Sequence, residues 1–284
     1  MRGKICIVTG SNTGIGRETA RGLARLGATV VLACRDAGKA EVARDDIAKS
    51  TQNSDVVAIP LDLGDSTSIR AFARTIADRY GKVDVLVNNA GVTARRRGVT
   101  KDGFETTFGV NHLGTALLTL ELLDLLKKGK DSRIVVLSSG LHYRGKMVWN
   151  DLQFDPRKYD GITAYNQSKL ANVLFTKALA RRLEGTGVTV NAVHPGVVAT
   201  DLTRDYPRAL IAVMQLFLLT PERGAECSLF VATAPELAGV TGEYFEKSRA
   251  KPASREGQDV GAQERLWKMT EELLARASKV ERAA

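Results

Sequence analysis

Lys4-Ile5-Cys6-Ile7-Val8-Thr9-Gly10-Ser11-Asn12-Thr13-Gly14-Ile15-Gly16 is the stretch that decides the fold. Its first part is an unbroken apolar run, which reads as a strand buried on both faces. A glycine-rich turn follows at once. The residues after it place Thr19, Leu23 and Leu26 at helical spacing. Such a turn between a strand and a helix lets backbone N–H groups approach a pyrophosphate, and the helix N-terminus adds partial positive charge. The spacing is Gly-x-x-x-Gly-x-Gly, not the Gly-x-Gly-x-x-Gly of the common dinucleotide fingerprint. The strand–turn–helix context argues against a merely flexible loop.

Outward from this unit the same alternation repeats. Strand candidates lie near residues 4–9, 28–34, 55–60, 83–87, 132–138 and 187–193, with a weaker one near 240–245. Helical patterns fill the gaps, for example over 65–79, 104–127, 163–184 and 221–233. Thr220-Pro221-Glu222 marks the start of the last of these. No linker, low-complexity segment or repeat interrupts the 284 residues. The expectation is a single α/β domain over 1–284: a Rossmann-type, doubly wound parallel sheet of about seven strands with helices on both faces. Ligands of such sheets bind outside the carboxyl ends of the strands, where the glycine loop lies.

A second spacing carries chemistry. Tyr165 and Lys169 stand four residues apart, one above the other on a helix face. A lysine ammonium beside a phenol favours the phenolate and draws its pKa down from about 10 toward a working pH. Ser139, at the end of an apolar run, can then hold a substrate oxygen. Together these groups suit the interconversion of a carbonyl and an alcohol.

The motifs together resemble a short-chain dehydrogenase/reductase of the single-domain type. They are Thr9 to Gly16, Asp62-Leu63, Asn88-Asn89-Ala90-Gly91, Asn111, Ser138-Ser139, Tyr165-Asn166-Gln167-Ser168-Lys169 and Pro195-Gly196, in the family's order. Within the family the chain is most similar to the retinol dehydrogenase-like branch. Leu32-Ala33-Cys34-Arg35-Asp36, Val110-Asn111-His112-Leu113-Gly114, Ser168-Lys169-Leu170-Ala171-Asn172 and His194-Pro195-Gly196 carry that resemblance. The 26 positions from Ser139 to Tyr165 leave room for an insertion, Tyr143 through Asp160, beside the site. Membrane-bound animal members carry an apolar N-terminal anchor, whereas here the first strand begins almost at Met1.

The resemblance implies roles. Tyr165 is the proton donor in reduction and the acceptor in oxidation. Lys169 lowers its pKa and binds the nicotinamide ribose. Ser139 donates to the substrate oxygen as alkoxide character develops. Neighbours on a strand point to opposite faces, so only one of Ser138 and Ser139 can serve, and the family pattern favours the second. Asn111 holds a water linking Lys169 to solvent, with an ordinary helix polar residue as the competing reading. Gly10, Ser11, Asn12, Thr13, Gly14, Ile15 and Gly16 cradle the pyrophosphate. Asp62 and Leu63 flank the adenine, and Asn89, Ala90 and Gly91 support the sheet and meet the adenosine ribose. Pro195, Gly196, Val198 and Thr200 hold the nicotinamide amide.

The end of the second strand sets the cofactor expectation, NADP(H) over NAD(H). An NAD enzyme places an acid there on the ribose 2′-hydroxyl, and an arginine accommodates a 2′-phosphate. By family comparison the acid's position holds Cys34. Arg35 follows with a planar, permanently charged fork that suits phosphate, and Arg17 adds charge nearby. The competing reading swings Asp36 back to the ribose.

Other features read plainly. His112, His142 and His194 lack metal-site spacing, so no metal is expected. Cys6, Cys34 and Cys227 fall in core elements and no secretory signal precedes them, which points to reduced thiols and the cytoplasm. Arg95-Arg96-Arg97 reads as solvated charge. The net charge of +9 raises nucleic-acid or membrane binding, but the basic residues are scattered and no nucleic-acid motif occurs. Ala209–Leu219 is too short to span a bilayer. It reads as part of a substrate lid over about 200–220, with shallow membrane contact as the other reading. A C-terminal helix is expected over about 258–280. Apolar residues near the lid suggest a small hydrophobic substrate. Many Leu, Ala and Val residues in 104–127 and 163–184, helices that family relatives use for association, suggest a homo-oligomer. Two alternatives stand beside the oxidoreductase: a non-catalytic NADP-sensing regulator, which would not need Ser139, Tyr165 and Lys169 together, and an epimerase or dehydratase of the same superfamily, whose Gly-x-x-Gly-x-x-Gly loop and larger C-terminal domain do not appear.

Overall fold

The structure, a computed structural model, describes residues 1–196 and 219–283, with side chains as far as Ala277. Val198, Thr200, almost all of the expected 200–220 lid and Ala209–Leu218 lie outside the described residues.

β1 (Ile5–Thr9) is buried on both faces, and its alternate residues serve different layers. Ile7 joins the apolar cluster with Ile69, Phe72 and Leu118, while Cys6 and Val8 join the one with Ala20, Leu23 and Cys227. Two covered faces explain why the strand is apolar throughout. β2 (Thr29–Cys34) and β3 (Val56–Pro60) extend the sheet one way. β4 (Val85–Asn88), β5 (Arg133–Leu137), β6 (Thr189–His194) and β7 (Tyr244–Glu246) extend it the other way. The order is β3-β2-β1-β4-β5-β6-β7-β8, parallel up to β7. The eighth strand, β8 (Arg249–Lys251), exceeds the expected seven and pairs antiparallel with β7. Three residues, two of them charged and all exposed, carry no apolar alternation from which a strand could be read. The chain reverses direction across the sheet between β1 and β4, which opens a crevice at their carboxyl ends.

α1 (Gly14–Arg25), α2 (Ala37–Thr51) and α3 (Ser66–Tyr80) cross between the early strands. The expected 104–127 helix is broken. It runs as α4 (Thr106–Phe108), a π-helical turn Gly109–Gly114, α5 (Thr115–Glu121) and α6 (Leu123–Lys128). A Cβ on Gly114 would overlap the Leu63 carbonyl oxygen, so the wide turn sits where the helix presses on the loop after β3. α7 (Gly161–Arg182) begins where the Asp160 carboxylate accepts from Thr163 N, 2.7 Å away. α8 (Pro221–Thr233) has the expected bounds.

After β8 come α9 (Arg255–Gln258) and α10 (Val260–Ala283). α10 lies back across α7 and the π turn. Trp267 stacks on Phe175 at 5.6 Å, Glu264 pairs with Arg181 and Arg182, and Thr270 bonds His112 Nε2 at 2.8 Å. Leu266 fills the cluster with Leu113, Leu170 and Leu174. The helices whose apolar residues suggested an oligomer are thus largely covered by the same chain.

Candidate active site

The glycine loop is held from below by the turn after β4. Thr9 Oγ1 accepts from the N–H groups of Asn89 and Ala90 at 3.0 and 2.9 Å. Asn89 Nδ2 returns a bond to Thr9 O at 2.7 Å and reaches Gly10 O at 3.3 Å. Gly10 has φ +63°, and its absent Cβ would lie 3.0 Å from Ala90 Cα. A Cβ on Gly16 would meet the Gly10 carbonyl at 2.5 Å as well as Asn89 Nδ2. Both are therefore glycines of close approach. Gly14, at φ +56°, faces open space. Ser11 Oγ donates to Val8 O at 2.8 Å and touches the Cys34 thiol. Burial pushes that thiol's pKa up.

The fit to a dinucleotide rests on the start of α1. Thr13 makes no capping hydrogen bond there. By contrast Asp36 caps α2, Asp65 caps α3 and Asp160 caps α7. The first-turn N–H groups of α1 therefore keep their donor capacity beside the open face of Gly14, as a pyrophosphate needs. At the end of β2, Arg35 is exposed and Cys34 is buried. Asp36 accepts from Lys39 N at 3.0 Å and pairs with Lys39 Nζ at 3.2 Å, which commits its carboxylate to α2. Asp62 accepts from Gly64 N at 2.9 Å. Leu63 departs from expectation. Its side chain lies in the core with Ile69 and Leu117, so only its backbone can face an adenine.

At the end of β5 the serine doublet divides. Ser138 is buried and its hydroxyl donates to Lys169 O at 2.8 Å. Ser139 caps a short 3₁₀ helix, Gly140–Arg144, and its Oγ accepts from Leu141 N at 3.2 Å, which leaves its proton to donate. Ser139 acts on the Tyr165 phenol in favour of its ionised form. Lys169 Nζ lies 5.5 Å from the Tyr165 ring centre. Gly91 lacks a Cβ that would stand 3.3 Å from that ammonium and 3.5 Å from Asn111 Oδ1. Ser139, Tyr165, Lys169, Gly91 and Asn111 are thus brought together.

One expectation, on charge, needs correction. Burial pushes the Tyr165 phenol up to about 12, opposed by Ser139, and pulls Lys169 down to about 8. The expected lowering of the phenol is absent because enclosure disfavours both charges, and the ammonium donates to Leu137 O at 3.0 Å. The side chain of Asn111 is engaged throughout. It accepts from Val92 N at 2.7 Å and donates to Val92 O at 2.9 Å and Ser168 Oγ at 3.0 Å. It pins the loop after β4, and through Ser168, whose Oγ donates to Tyr165 O, the turn carrying Tyr165. It sits in the π turn rather than in a regular helix.

The end of β6 contributes Pro195 and Gly196. A Cβ on Gly196, at φ +87°, would meet Leu219 at 2.5 Å. The insertion is anchored by residues that motif reading missed. Glu105, fully buried, accepts from Thr107 N and Phe108 N at 2.7 Å and from the Tyr159 hydroxyl at 3.0 Å. Gln153 accepts from Glu105 N at 2.7 Å. Arg97 is not merely solvated, since it pairs with Asp155 and donates to Gln153 O. Only an unusually placed Glu before the Asn111 segment could have signalled this. Leu141, Tyr143 and Ile162 are exposed apolar side chains close in sequence to Ser139 and Tyr165. The three cysteines are free and buried, and among the described residues no group of His, Cys, Asp or Glu has metal-binding geometry.

Known proteins are similar to this chain in sequence and in fold. The short chain dehydrogenase family profile matches residues 4–210. Retinol dehydrogenase 13 of Homo sapiens is 48% identical over 273 residues, 93% of this chain and 82% of the relative. Retinol dehydrogenase 12 of Mus musculus is 47% identical over 274 residues, 96% and 86% of the two chains. Among solved structures, an uncharacterized protein from Mycobacterium paratuberculosis superposes with a TM-score of 0.76 at 36% identity, covering 96% of this chain and 93% of its own. A protein described as a short chain dehydrogenase from Shigella flexneri 2a str. 301, complexed with NADP, gives 0.71 at 25% identity, covering 88% and 98%.

Proposed function

The chain belongs to the short-chain dehydrogenase family, in its retinol dehydrogenase-like branch, and from that premise we propose an NADP(H)-dependent oxidoreductase that interconverts a carbonyl and an alcohol on a small hydrophobic substrate. The observation that carries the reading is the junction of Ser139, Tyr165 and Lys169 beside a glycine loop whose helix start is uncapped. A nicotinamide cofactor, when bound, exchanges the hydride. Every proton step belongs to the chain. In reduction Tyr165 Oη delivers its proton to the carbonyl oxygen, and in oxidation it receives one. Ser139 Oγ, its acceptor side occupied by Leu141 N, donates to the same oxygen and stabilises alkoxide character. Lys169 binds the nicotinamide ribose and supplies positive charge beside the phenol. Gly10 through Gly16 hold the pyrophosphate, and Asn89 to Gly91 support that loop and meet the adenosine ribose. Asp62 flanks the adenine.

Arg35 takes the 2′-phosphate. Its exposure, and the commitment of Asp36 to Lys39, support NADP(H) over NAD(H). The neighbour solved with NADP agrees in kind. Leu141, Tyr143 and Ile162, exposed and close in sequence to Ser139 and Tyr165, support an apolar substrate. The whole chain acts as one catalytic domain, with Pro195, Gly196, Val198 and Thr200 on the nicotinamide amide and residues 200–220 as lid. The chain forms a homo-oligomer in this reading, through a face other than the one α10 covers. Three free, buried cysteines support a cytoplasmic enzyme, and no helix among the described residues is long and apolar enough to cross a membrane.

A panel of aliphatic, retinoid and steroid carbonyls and alcohols, followed at the NADPH absorbance band with both cofactors, tests this reading. Turnover of apolar members with NADPH is expected. No turnover with any member overturns the proposed reaction, and a preference for NADH overturns the role of Arg35.

A further inference from the structure

His142 lacks metal-ligand spacing and reads as a buried core histidine, but its ring is wired to the serine of the site. It lies three residues after Ser139, is fully buried and stacks against Tyr143 at 4.0 Å and Tyr244 at 4.5 Å. Its Nδ1 sits 2.8 Å from Ser139 O. A carbonyl oxygen only accepts, so Nδ1 carries the proton. Its Nε2 accepts from Ser254 N at 3.1 Å, so that nitrogen carries none. The two partners fix one neutral tautomer, and burial favours the neutral ring by lowering its pKa. Ser139 O also accepts from His142 N at 3.0 Å. The segment behind the ring is tied in a second place, where the Tyr143 hydroxyl donates to Pro252 O at 2.6 Å.

We propose that His142 is a positioning residue for the reaction: Nδ1–H holds the Ser139 backbone while Nε2 anchors the ring to Ser254, and the pair sets where the Ser139 hydroxyl meets the substrate oxygen. Ser139 has no regular strand to hold it, because β5 ends at Leu137. It caps a five-residue 3₁₀ turn, and such turns have poorer hydrogen-bond geometry than an α-helix. The ring supplies the missing constraint. A displacement of about 1 Å in an oxygen-binding donor lowers turnover by as much as about a hundredfold. This inference rests on the proposed role of Ser139 as that donor.

Two isosteric variants separate the two bonds. His142→Asn keeps an amide N–H near the position of Nδ1 and loses the reach to Ser254. His142→Gln keeps an acceptor near the position of Nε2 and loses the donor to Ser139. Both are measured beside Ser139→Ala, with kcat normalised to NADPH-binding sites so that unfolded protein does not count. The expected result is a kcat for the Asn variant about tenfold above that of the Gln variant, with NADPH affinity the same in both. Equal kcat values, or a loss that follows thermal stability alone, overturn the positioning role. Wild-type kcat in Ser139→Ala overturns the reading of Ser139 itself and removes the ground of this inference with it. Should neither histidine variant fold, Tyr143→Phe releases only the bond to Pro252. A kcat about threefold lower at unchanged NADPH affinity then supports the role of this attachment, and an unchanged kcat overturns it.

Discussion

The glycine loop after β1 and the Ser139–Tyr165–Lys169 cluster lie in the same crevice but are prepared in opposite ways. The loop is finished by the polypeptide alone. Its backbone is bonded to Asn89, its close approaches are cut to fit by Gly10 and Gly16, and the helix behind it is left uncapped. The cluster is assembled in space but unfinished in charge. Its phenol is pushed up to about 12 and its ammonium pulled down to about 8, both toward neutrality. Under the proposed function, the contrast sets a binding end that works through shape and fixed dipoles against a reacting end whose enclosure favours neutral groups.

The sharpest way to break this contrast is to remove one atom from the reacting end. Tyr165→Phe should lower kcat by about 10²–10⁴-fold and leave NADPH binding and the melting temperature near wild type. If it kept more than about a tenth of wild-type kcat, Tyr165 would not be the proton donor. At the binding end, Gly16→Ala should do the reverse. It drives a methyl into Gly10 and Asn89 and costs about 3 kcal/mol of stability by overpacking, which is read in urea, together with a loss of cofactor affinity. Gly14→Ala meets nothing within 4 Å and should cost only about 1–2 kcal/mol, from its left-handed φ. Equal costs at the two positions would show that the loop is not held by close approach.

Lys169 tests whether the reacting end is strained before a ligand arrives. Its pKa falls from 10.5 in the unfolded chain to about 8 in the fold. Between those values the unfolded chain binds more protons, so this group makes stability rise with pH from about 8 to 10.5 and exacts its full penalty below. The rise is up to about 3 kcal/mol. Lys169→Met should abolish it in urea unfolding at a series of pH values. A wild-type slope in the variant would place the strain elsewhere. The smallest effect expected is at the rim. Arg35→Ala should raise KM for NADPH about tenfold, the loss of one charge-assisted bond of about 1.5 kcal/mol, and leave KM for NADH nearly unchanged. Equal weakening toward both cofactors would mean that Arg35 does not read the 2′-phosphate.

The same contrast runs through what could be read from residues alone. Strands β1 to β6 were legible to within a residue or two because each is an apolar run bounded by turns. The glycine loop was legible because its chemistry is local. β8 was not, since three exposed residues with two charges have no period. The break in the helix around Asn111 was not, and the close contact found there, the Leu63 carbonyl against Gly114, comes from 51 positions away in the chain. Motif and spacing pointed to the partners Ser139, Tyr165 and Lys169, and the structure brings them together. The direction of their pKa shifts stayed hidden, since it depends on enclosure, which leaves no mark on spacing. His142 was hidden for the same reason, as its second partner is the backbone of Ser254.

The two rims of the sheet have a consequence for how copies of this chain meet one another in solution. An open parallel sheet ends in two rows of unpaired backbone groups, and a long flat edge invites another molecule to pair with it. Here one rim, β3, ends in Pro60, which offers no N–H. The other is β8, three residues long, turned antiparallel and carrying Arg249 and Lys251. A neighbour approaching that rim meets a strand too short to template a ladder and two like charges that repel its own. The stub that could not be foreseen in the sequence is thus what guards this β-rich core against edge-to-edge aggregation.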